Sequence, residues 1–506
     1  MARINSNISS LIAQRNLAQS NTDLATSLER LSTGLQINGG ADNPAGLIIS
    51  ERLRSELNGM NQAVNNSERA SSVIATTEGY LSEISDLLNS VKGLVTEAAN
   101  TGGVSLDEIK ANQMQIDDAI DSITRISNTA SFAGLQLLNG SMSYMTSGIS
   151  NSDIDAVQVW SAQFGNADQV PVSVEVVTAA EQASLFLSGT TSEGNPPAGI
   201  LLSTVTLEIA GNTGVQSLTF VSGTTYDDIA NAINTLSEST GVQASLFNVA
   251  DASSGLTFTS TGYGDDQFVS VRPIGQGGET WQTHLAKAAD PLNPTAGEAQ
   301  ATERDEGVNV GAIVNGALAV GTGLELALNT TGLTLDMVLT ETFATTVSGT
   351  SSDFSLTGGG VNFQLGPTIS ESQRVGLGIP SVAASRLGGT VLEGVRYCLD
   401  SLRTGGDNSL VAGASANASS ILESAINEVA QLRGRLGAFE RNTIDTSIRS
   451  LQIGIENITA SESRIRDTDF AKETAALTRA QILAQAGTSV LATANAQAQN
   501  VLALLS

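Results

Sequence analysis

Apolar residues recur along both ends of the chain at spacings of three and four. Near the N-terminus the row runs Ile4, Ile8, Leu11 and, after a polar gap, Leu24, Leu28, Leu31, Leu35. A second row runs Leu53, Leu57, Met60, Val64, then Ile74, Leu81, Ile84, Leu88, Val91, Val95, and a third Ile109, Ile116, Ile120, Ile123. Toward the other end come Leu422, Ile426, Val429, and later Ile444, Ile448, Leu451, Ile455, Ile458. This period lays a narrow apolar stripe along one face of a helix, the pattern of coiled-coil packing. Boundary residues agree. Asn43-Pro44 reads as an N-cap with proline at the first helical position. Ser105 with Glu108, and Ser420 with Glu423, have capping-box spacing. Thr101-Gly102-Gly103 and Gly405-Gly406 read as helix stops. A helix from about residue 44 to 100 would be roughly 80 Å long at about 1.5 Å per residue. It needs partner helices along its length.

The final segment has a different texture. From Phe470 to Ser506 it is rich in Ala, Gln, Thr and Leu, with apolar residues at Ile482-Leu483, Val490-Leu491, Leu502 and Leu504-Leu505. The plain expectation is an ordinary C-terminal helix. The sharper one is a helix whose apolar faces are filled by other subunits. Residues 141–385 instead alternate with a period of two: Val205-Thr206-Leu207-Glu208-Ile209, Leu218-Thr219-Phe220, Leu256-Thr257-Phe258 and Val361-Asn362-Phe363-Gln364-Leu365. Gly- and Asn-containing turns separate these predicted strands. One short helix, with Ile229, Ile233 and Leu236 on a face, makes 204–247 a small α+β module.

Charge divides the chain at the same places. Residues 141–385 carry 24 acids against 4 bases, whereas residues 1–140 and 386–506 have nets of -6 and -1, within a total of -27. Every proline but Pro44 lies between Pro171 and Pro380. The two ends are one kind of material and the middle another, so the reading is a split architecture with an insertion. The acidity excludes a basic footprint for nucleic acid or an anionic membrane face. No apolar run is long enough for a membrane-spanning helix. The first residues, Met1-Ala2-Arg3-Ile4-Asn5, lack the apolar core of a cleaved signal.

Candidate chemistry is sparse. The single cysteine, Cys398, excludes an intrachain disulfide and a Cys-cluster zinc site, and the single histidine, His284, excludes any two-His metal site. Cys398 falls in Val395-Arg396-Tyr397-Cys398-Leu399, read as a helix carrying a packed thiol. His284 reads as an exposed loop residue. Gly358-Gly359-Gly360 reads as a turn before a strand, and Asp227-Asp228 and Asp265-Asp266 as solvated acids. No catalytic, metal or cofactor site is assigned.

Several motifs carry a family likeness. Leu28-Glu29-Arg30-Leu31-Ser32-Thr33-Gly34-Leu35-Gln36-Ile37-Asn38, followed by Ala41-Asp42-Asn43-Pro44-Ala45-Gly46, closely resembles the N-terminal signature of bacterial flagellins. Phe132-Ala133-Gly134-Leu135-Gln136-Leu137-Leu138-Asn139-Gly140 resembles the hairpin after the family's N-terminal helices. Arg433-Gly434-Arg435-Leu436-Gly437-Ala438, Arg464-Ile465-Arg466-Asp467-Thr468-Asp469-Phe470 and the run from Ala480 to Leu491 are similar to the C-terminal signature. The likeness covers roughly 1–140 and 386–506. In the middle, Thr219-Phe220, Asp227-Asp228-Ile229-Ala230, Ile233-Asn234 and Gly241-Val242 resemble a short module of flagellins and hook-associated proteins.

The resemblance implies an α+β chain. Long terminal helices would form an antiparallel coiled coil and helical rod, with an inserted β-rich outer domain. It divides the chain into an inner helix (1–44), a rod with hairpin (45–140), an outer domain (141–385), a returning rod (386–460) and a second inner helix (461–506). Subunit packing would fall on Ile4, Ile8, Leu11, Leu24, Leu28, Leu31 and Leu35. On the second inner helix it would fall on Ile482, Leu483, Val490, Leu491, Leu502 and Leu505. Rod packing would fall on Leu53, Leu57, Met60, Leu88, Val91, Val95, Ile116, Ile120, Ile123, Ile444, Ile448, Leu451 and Ile455. The implied task is a structural, non-enzymatic subunit of an extracellular filament that turns to propel the cell. Its implied partners are copies of itself, a filament cap protein, hook–filament junction proteins and a cytoplasmic export chaperone. The resemblance also implies weak recognition by the vertebrate innate receptor for flagellins. At its contact run, Asn89-Ser90-Val91-Lys92-Gly93-Leu94, Ser90 stands where a cation is expected, and Gln115 stands for an acid; Leu94 is kept. Competing readings are a hook–filament junction protein, an adhesin carried on 141–385 and a filament-displayed enzyme.

Overall fold

The structure, a computed structural model, describes residues 7–165, 167–188, 199–201, 203–248, 255–274, 283–285, 302–347, 349–392 and 395–503. Helices form at both ends and strands between them. The helices are α1 (Ile8–Thr33), α2 (Pro44–Ala98), α3 (Leu106–Thr129), α4 (Tyr226–Asn234), α5 (Ser237–Thr240), α6 (Glu341–Ala344), α7 (Ser415–Phe439), α8 (Asp445–Arg466) and α9 (Phe470–Ala503). Local chemistry fixes their ends. The Asn7 side chain accepts the Ser10 N–H at the start of α1, and Gly34 closes it at φ +75°, a left-handed turn that glycine adopts without a Cβ clash. Asn43 Oδ1 accepts the Gly46 N–H (2.9 Å) ahead of Pro44. Ser105 and Glu108 form the expected reciprocal capping box on α3.

Four local expectations are corrected. Ser420 and Glu423 do not cap a helix, because α7 already begins at Ser415 and the Ser420 hydroxyl donates back to the Ala416 carbonyl (3.3 Å). Val395–Tyr397 is a strand paired with Thr390–Leu392, not a helix; its β-branched and aromatic residues suit a hairpin. Gly405 and Gly406 follow a single 3-10 turn, Leu399–Leu402, and end no long helix. His284 lies in the strand Thr283–Leu285, opposite Phe186, not in a loop.

By contact the chain forms two units. The first comprises residues 1–76, 363–374 and 433–506. In it α1 lies along α9, and the first part of α2 runs antiparallel to α8. Arg466 reaches Glu51 (3.2 Å), Met60 Sδ lies against Gly454, and Ser71 Oγ donates to Glu440 Oε1 (2.5 Å). Between α7 and α8 the helix widens into one π-turn, Glu440–Ile444.

The second unit comprises residues 77–362 and 375–432. Its helical part is the rest of α2 with α3 and most of α7. Leu81, Ile84, Leu88, Val91, Ile116, Ile120 and Ile123 are completely buried, as the apolar rows predict. The hairpin Ser131–Phe132 with Leu135–Gln136 follows α3, as expected. Its β-rich part has two cores. One lies on an antiparallel eight-stranded sheet in the order Tyr144–Ser147, Ser351–Gly359, Val170–Thr178, Gly311–Val314, Ala317–Thr322, Glu325–Asn329, Leu333–Leu339, Ile154–Ala162. The other joins two four-stranded sheets to α4 around Leu207, Phe220, Ile229, Ile233, Phe258 and Val271. Val205 pairs with Phe220 and Leu207 with Leu218, so the alternation read in the sequence becomes one apolar face. Leu236 lies beyond the end of α4 and is half-buried. Gly358, Gly359 and Gly360 all have positive φ, but only Gly360 lies between strands; Gly358 and Gly359 are not a turn, since they end the strand Ser351–Gly359 and pair with Met145 and Tyr144.

Candidate assembly surface

The two ends of the chain meet through α1 and α9, which run antiparallel. Asn7 Nδ2 donates to the Ala494 carbonyl (3.0 Å) and Ser10 Oγ to Asn495 Oδ1 (2.8 Å). Further along, Leu17 lies against Gly487, and Arg30 faces Glu473 at 3.8 Å. At the base the backbones exchange bonds: Gln36 N–H to the Arg466 carbonyl (2.7 Å) and Thr468 N–H to the Gly34 carbonyl (2.8 Å). Asp42 accepts the backbone N–H groups of Gly39 and Asn38, which hold its carboxyl below the usual carboxylate range.

The fully buried residues of this pair are small: Ser10, Ala13 and Ser27 on α1, Ala480 and Ala494 on α9, with half-buried Leu17 seated against Gly487. Small side chains let the helix backbones come close, and they leave several large apolar ones outside. Ile8, Leu11 and Leu28 of the expected α1 row are exposed, Leu11 by 60%, and so are Ile482 (62%), Leu483 and Val490 on α9. Leu24, Leu31, Leu35 and Leu491 are half-buried. Ile4 and Leu505 lie outside the described residues; Leu502 falls in the last turn of α9. Thus the row does not fill the intrachain seam; it splits between the seam's edge and solvent.

The α2–α8 layer behaves similarly. Leu53, Leu57, Met60, Ile448 and Ile455 are half-buried, and only Ile444 and Leu451 of its expected members are buried. Leu88, Val91, Val95, Ile116, Ile120 and Ile123, all in the second unit, are buried in the chain's own core. Asn89, Ser90 and Gln115 are exposed and Leu94 is half-buried. Sequence reasoning missed Ile12, Ile48, Ile49, Ile453 and Phe470, which are also exposed. Their signal was there: each sits off the apolar stripe, as the neighbours Ile48-Ile49 show.

No group of His, Cys, Asp and Glu residues suited to a metal occurs among the described residues. Cys398 is half-buried, and burial pushes its thiol up, away from the thiolate a nucleophile requires. No helix among the described residues is long and apolar enough to cross a membrane.

A chain whose two ends join in a thin helix pair with its large apolar residues outward is a subunit built to be completed by other chains. The family model of the bacterial flagellin N-terminal helical region matches residues 4–143, and that of the C-terminal helical region matches residues 419–505. A third, the flagellin hook IN motif, matches residues 206–262, the module built around α4. A flagellin of Salmonella rubislaw is 30% identical over 99% of both chains, and the B-type flagellin of Pseudomonas aeruginosa is equally similar over the same share. Among solved structures, flagellar hook associated protein-3 from Legionella pneumophila is 12% identical with a TM-score of 0.30, covering 82% of this chain and 98% of that one. The chain belongs to the flagellin family and is a structural subunit of the bacterial flagellar filament. Its full-length relatives bear the name flagellin, so the junction-protein reading is not favoured.

Proposed function

We propose that the exposed faces of α1 and α9 are the innermost lattice contacts of the filament and that the half-buried face of α2 and α8 forms the layer around them. The carrying observation is the inversion of size across the α1–α9 pair, with small residues inside and Leu11, Ile482 and Val490 outside. Burying such side chains contributes about 1.5–3 kcal/mol each, and in an isolated subunit that contribution is missing. Arg30 Nε, Arg466 Nε and Thr468 Oγ1, buried with no hydrogen-bond partner among the described residues, add polar groups to the same surface. The remaining partners follow from the same faces. An export chaperone covers α9 before assembly, and cap and junction proteins meet it at the filament ends. Polymerisation takes place outside the cell.

Removal of residues 470–506 is expected to abolish polymerisation while leaving the eight-stranded sheet folded. Light scattering after seeding and limited proteolysis measure the two halves of that statement. Filaments formed by the truncated chain would refute the assignment of α9.

A further inference from the structure

Residues 363–374, though embedded in the acidic middle of the sequence, belong by contact to the same unit as α1, α8 and α9. Pro367 rests on α2 at Gly59: a Cβ there would lie 3.1 Å from the Pro367 carbonyl oxygen and 3.2 Å from its Cβ. Glycine inside a helix costs about 1 kcal/mol relative to alanine, and at position 59 it makes room for this seat. Phe363 packs on Phe439, ring centroids 6.2 Å apart.

The tip is held rigidly by its own side chains. Gln373 Oε1 accepts the Thr368 N–H (2.7 Å), and Gln364 Nε2 donates to the carbonyls of Thr368 (2.7 Å) and Gly366 (2.9 Å). Arg374 pairs with Glu371 (3.1 Å) and donates to Gln364 Oε1 (3.3 Å). This scaffold presents Ile369, whose side chain is 84% exposed. A lone exposed isoleucine is ordinary; one at the apex of a tip braced by its own hydrogen bonds is an anchor without a socket.

We propose that the 363–374 tip is an additional lattice contact, with Ile369 inserted into the rod of a second copy of this chain. The second copy is the occupant for two reasons on the molecule itself. The tip shares a unit with the helices proposed above to carry the lattice, so a chain packed along that unit meets it. And its charges cancel, since Glu371 and Arg374 pair with each other, whereas the surrounding middle segment has a net charge of -20. Copies of so acidic a chain repel one another, and a neutral apolar tip is where they can touch. The contact is heterologous, tip against rod, as a helical lattice requires.

The proposal rests on assembly through the rod, and its test separates the two. Ile369→Asp is expected to raise the critical concentration for polymerisation by about tenfold, with the far-ultraviolet spectrum and melting of the monomer unchanged, while Ile369→Val polymerises like the unmodified chain. A benzophenone on Ile369→Cys, in a Cys398→Ser background, is expected to give intersubunit adducts in filaments and none in monomers. Filaments from the unmodified chain with no adduct, or with an unchanged threshold for Ile369→Asp, overturn this contact alone. No filaments from the unmodified chain overturn the assembly reading itself.

Discussion

Gln113 shows what a single buried polar residue does in the helical part of this chain. It lies on α3, is almost wholly buried, and uses all its near partners: Nε2 donates to the Leu402 carbonyl (2.8 Å) and to Asp117 Oδ1 (2.9 Å), and Oε1 accepts the Leu410 N–H (2.8 Å). Gln113→Leu leaves two buried backbone groups unmet, at about 1–3 kcal/mol each. A clear fall in the urea midpoint of the monomer is expected. An unchanged midpoint would mean that water replaces the amide. Glu428 on α7 makes the opposite kind of case. Burial raises its carboxyl above the ordinary range, against the backbone N–H of Gly388 (3.2 Å), the nearby Arg396 cation and the Gly389 N–H, with Glu325 raising it further. The folded state therefore holds this proton more tightly than the unfolded one. Its contribution is fully present below the unfolded carboxylate value and is lost as pH rises through the raised folded value. Glu428→Gln should remove that slope, so that the variant gains relative to the unmodified chain as pH rises through that window. Parallel stability curves for the two proteins would contradict it. Neither residue was visible as special in the sequence. Gln113 and Glu428 sit among many similar polar residues, and only the approach of Leu402, Leu410 and Gly388 from distant sequence distinguishes them.

At the scale of elements, the pair α1–α9 is set by small residues. A Cβ at Gly487 would stand 3.3 Å from Leu17 Cδ1 and 3.7 Å from its Cα, so the branched side chain of Gly487→Val crowds Leu17 in the seam. Overpacking of this sort costs about 1–3 kcal/mol. Filaments of the variant are expected to melt at lower temperature, as followed by light scattering; equal melting would show that the pair has slack at this point. The helices themselves were legible, because a stripe of period 3.6 survives any tertiary context. Leu88, Ile116 and Ile120 went where the stripe sent them. The strand Val395–Tyr397 was not legible: three residues are too few for a period to declare itself, and their hairpin partner decided the matter. The capping spacing at Ser420 and Glu423 misled for a related reason. It occurs by chance inside a helix whose start at Ser415 carries no such signal.

For the whole molecule, charge and proline set residues 141–385 apart from the two ends, and most of the strands fall within them. Composition could not reveal that twelve residues of that insertion, 363–374, return to the helical unit, because the cause is a seat at Gly59 some 300 positions earlier. A chain lacking residues 150–380 is expected to assemble still, at a higher protein concentration than the intact chain. Electron microscopy of the seeded, helical monomer decides it: no filaments at any concentration would place indispensable lattice contacts in the middle segment.

The π-turn at Glu440–Ile444 has a consequence for the helices it joins. Leu436 and Ile444 are both completely buried, yet they stand eight residues apart, and Leu451 follows after seven. In a regular α-helix, with about 100° per residue, eight steps would leave the two side chains roughly 80° out of line. The wider turn absorbs that excess, so it acts as a phase corrector between two helical registers. Without it the row Ile448, Ile455 and Ile458 would swing away from α2, and Met60 would lose its place beside Gly454.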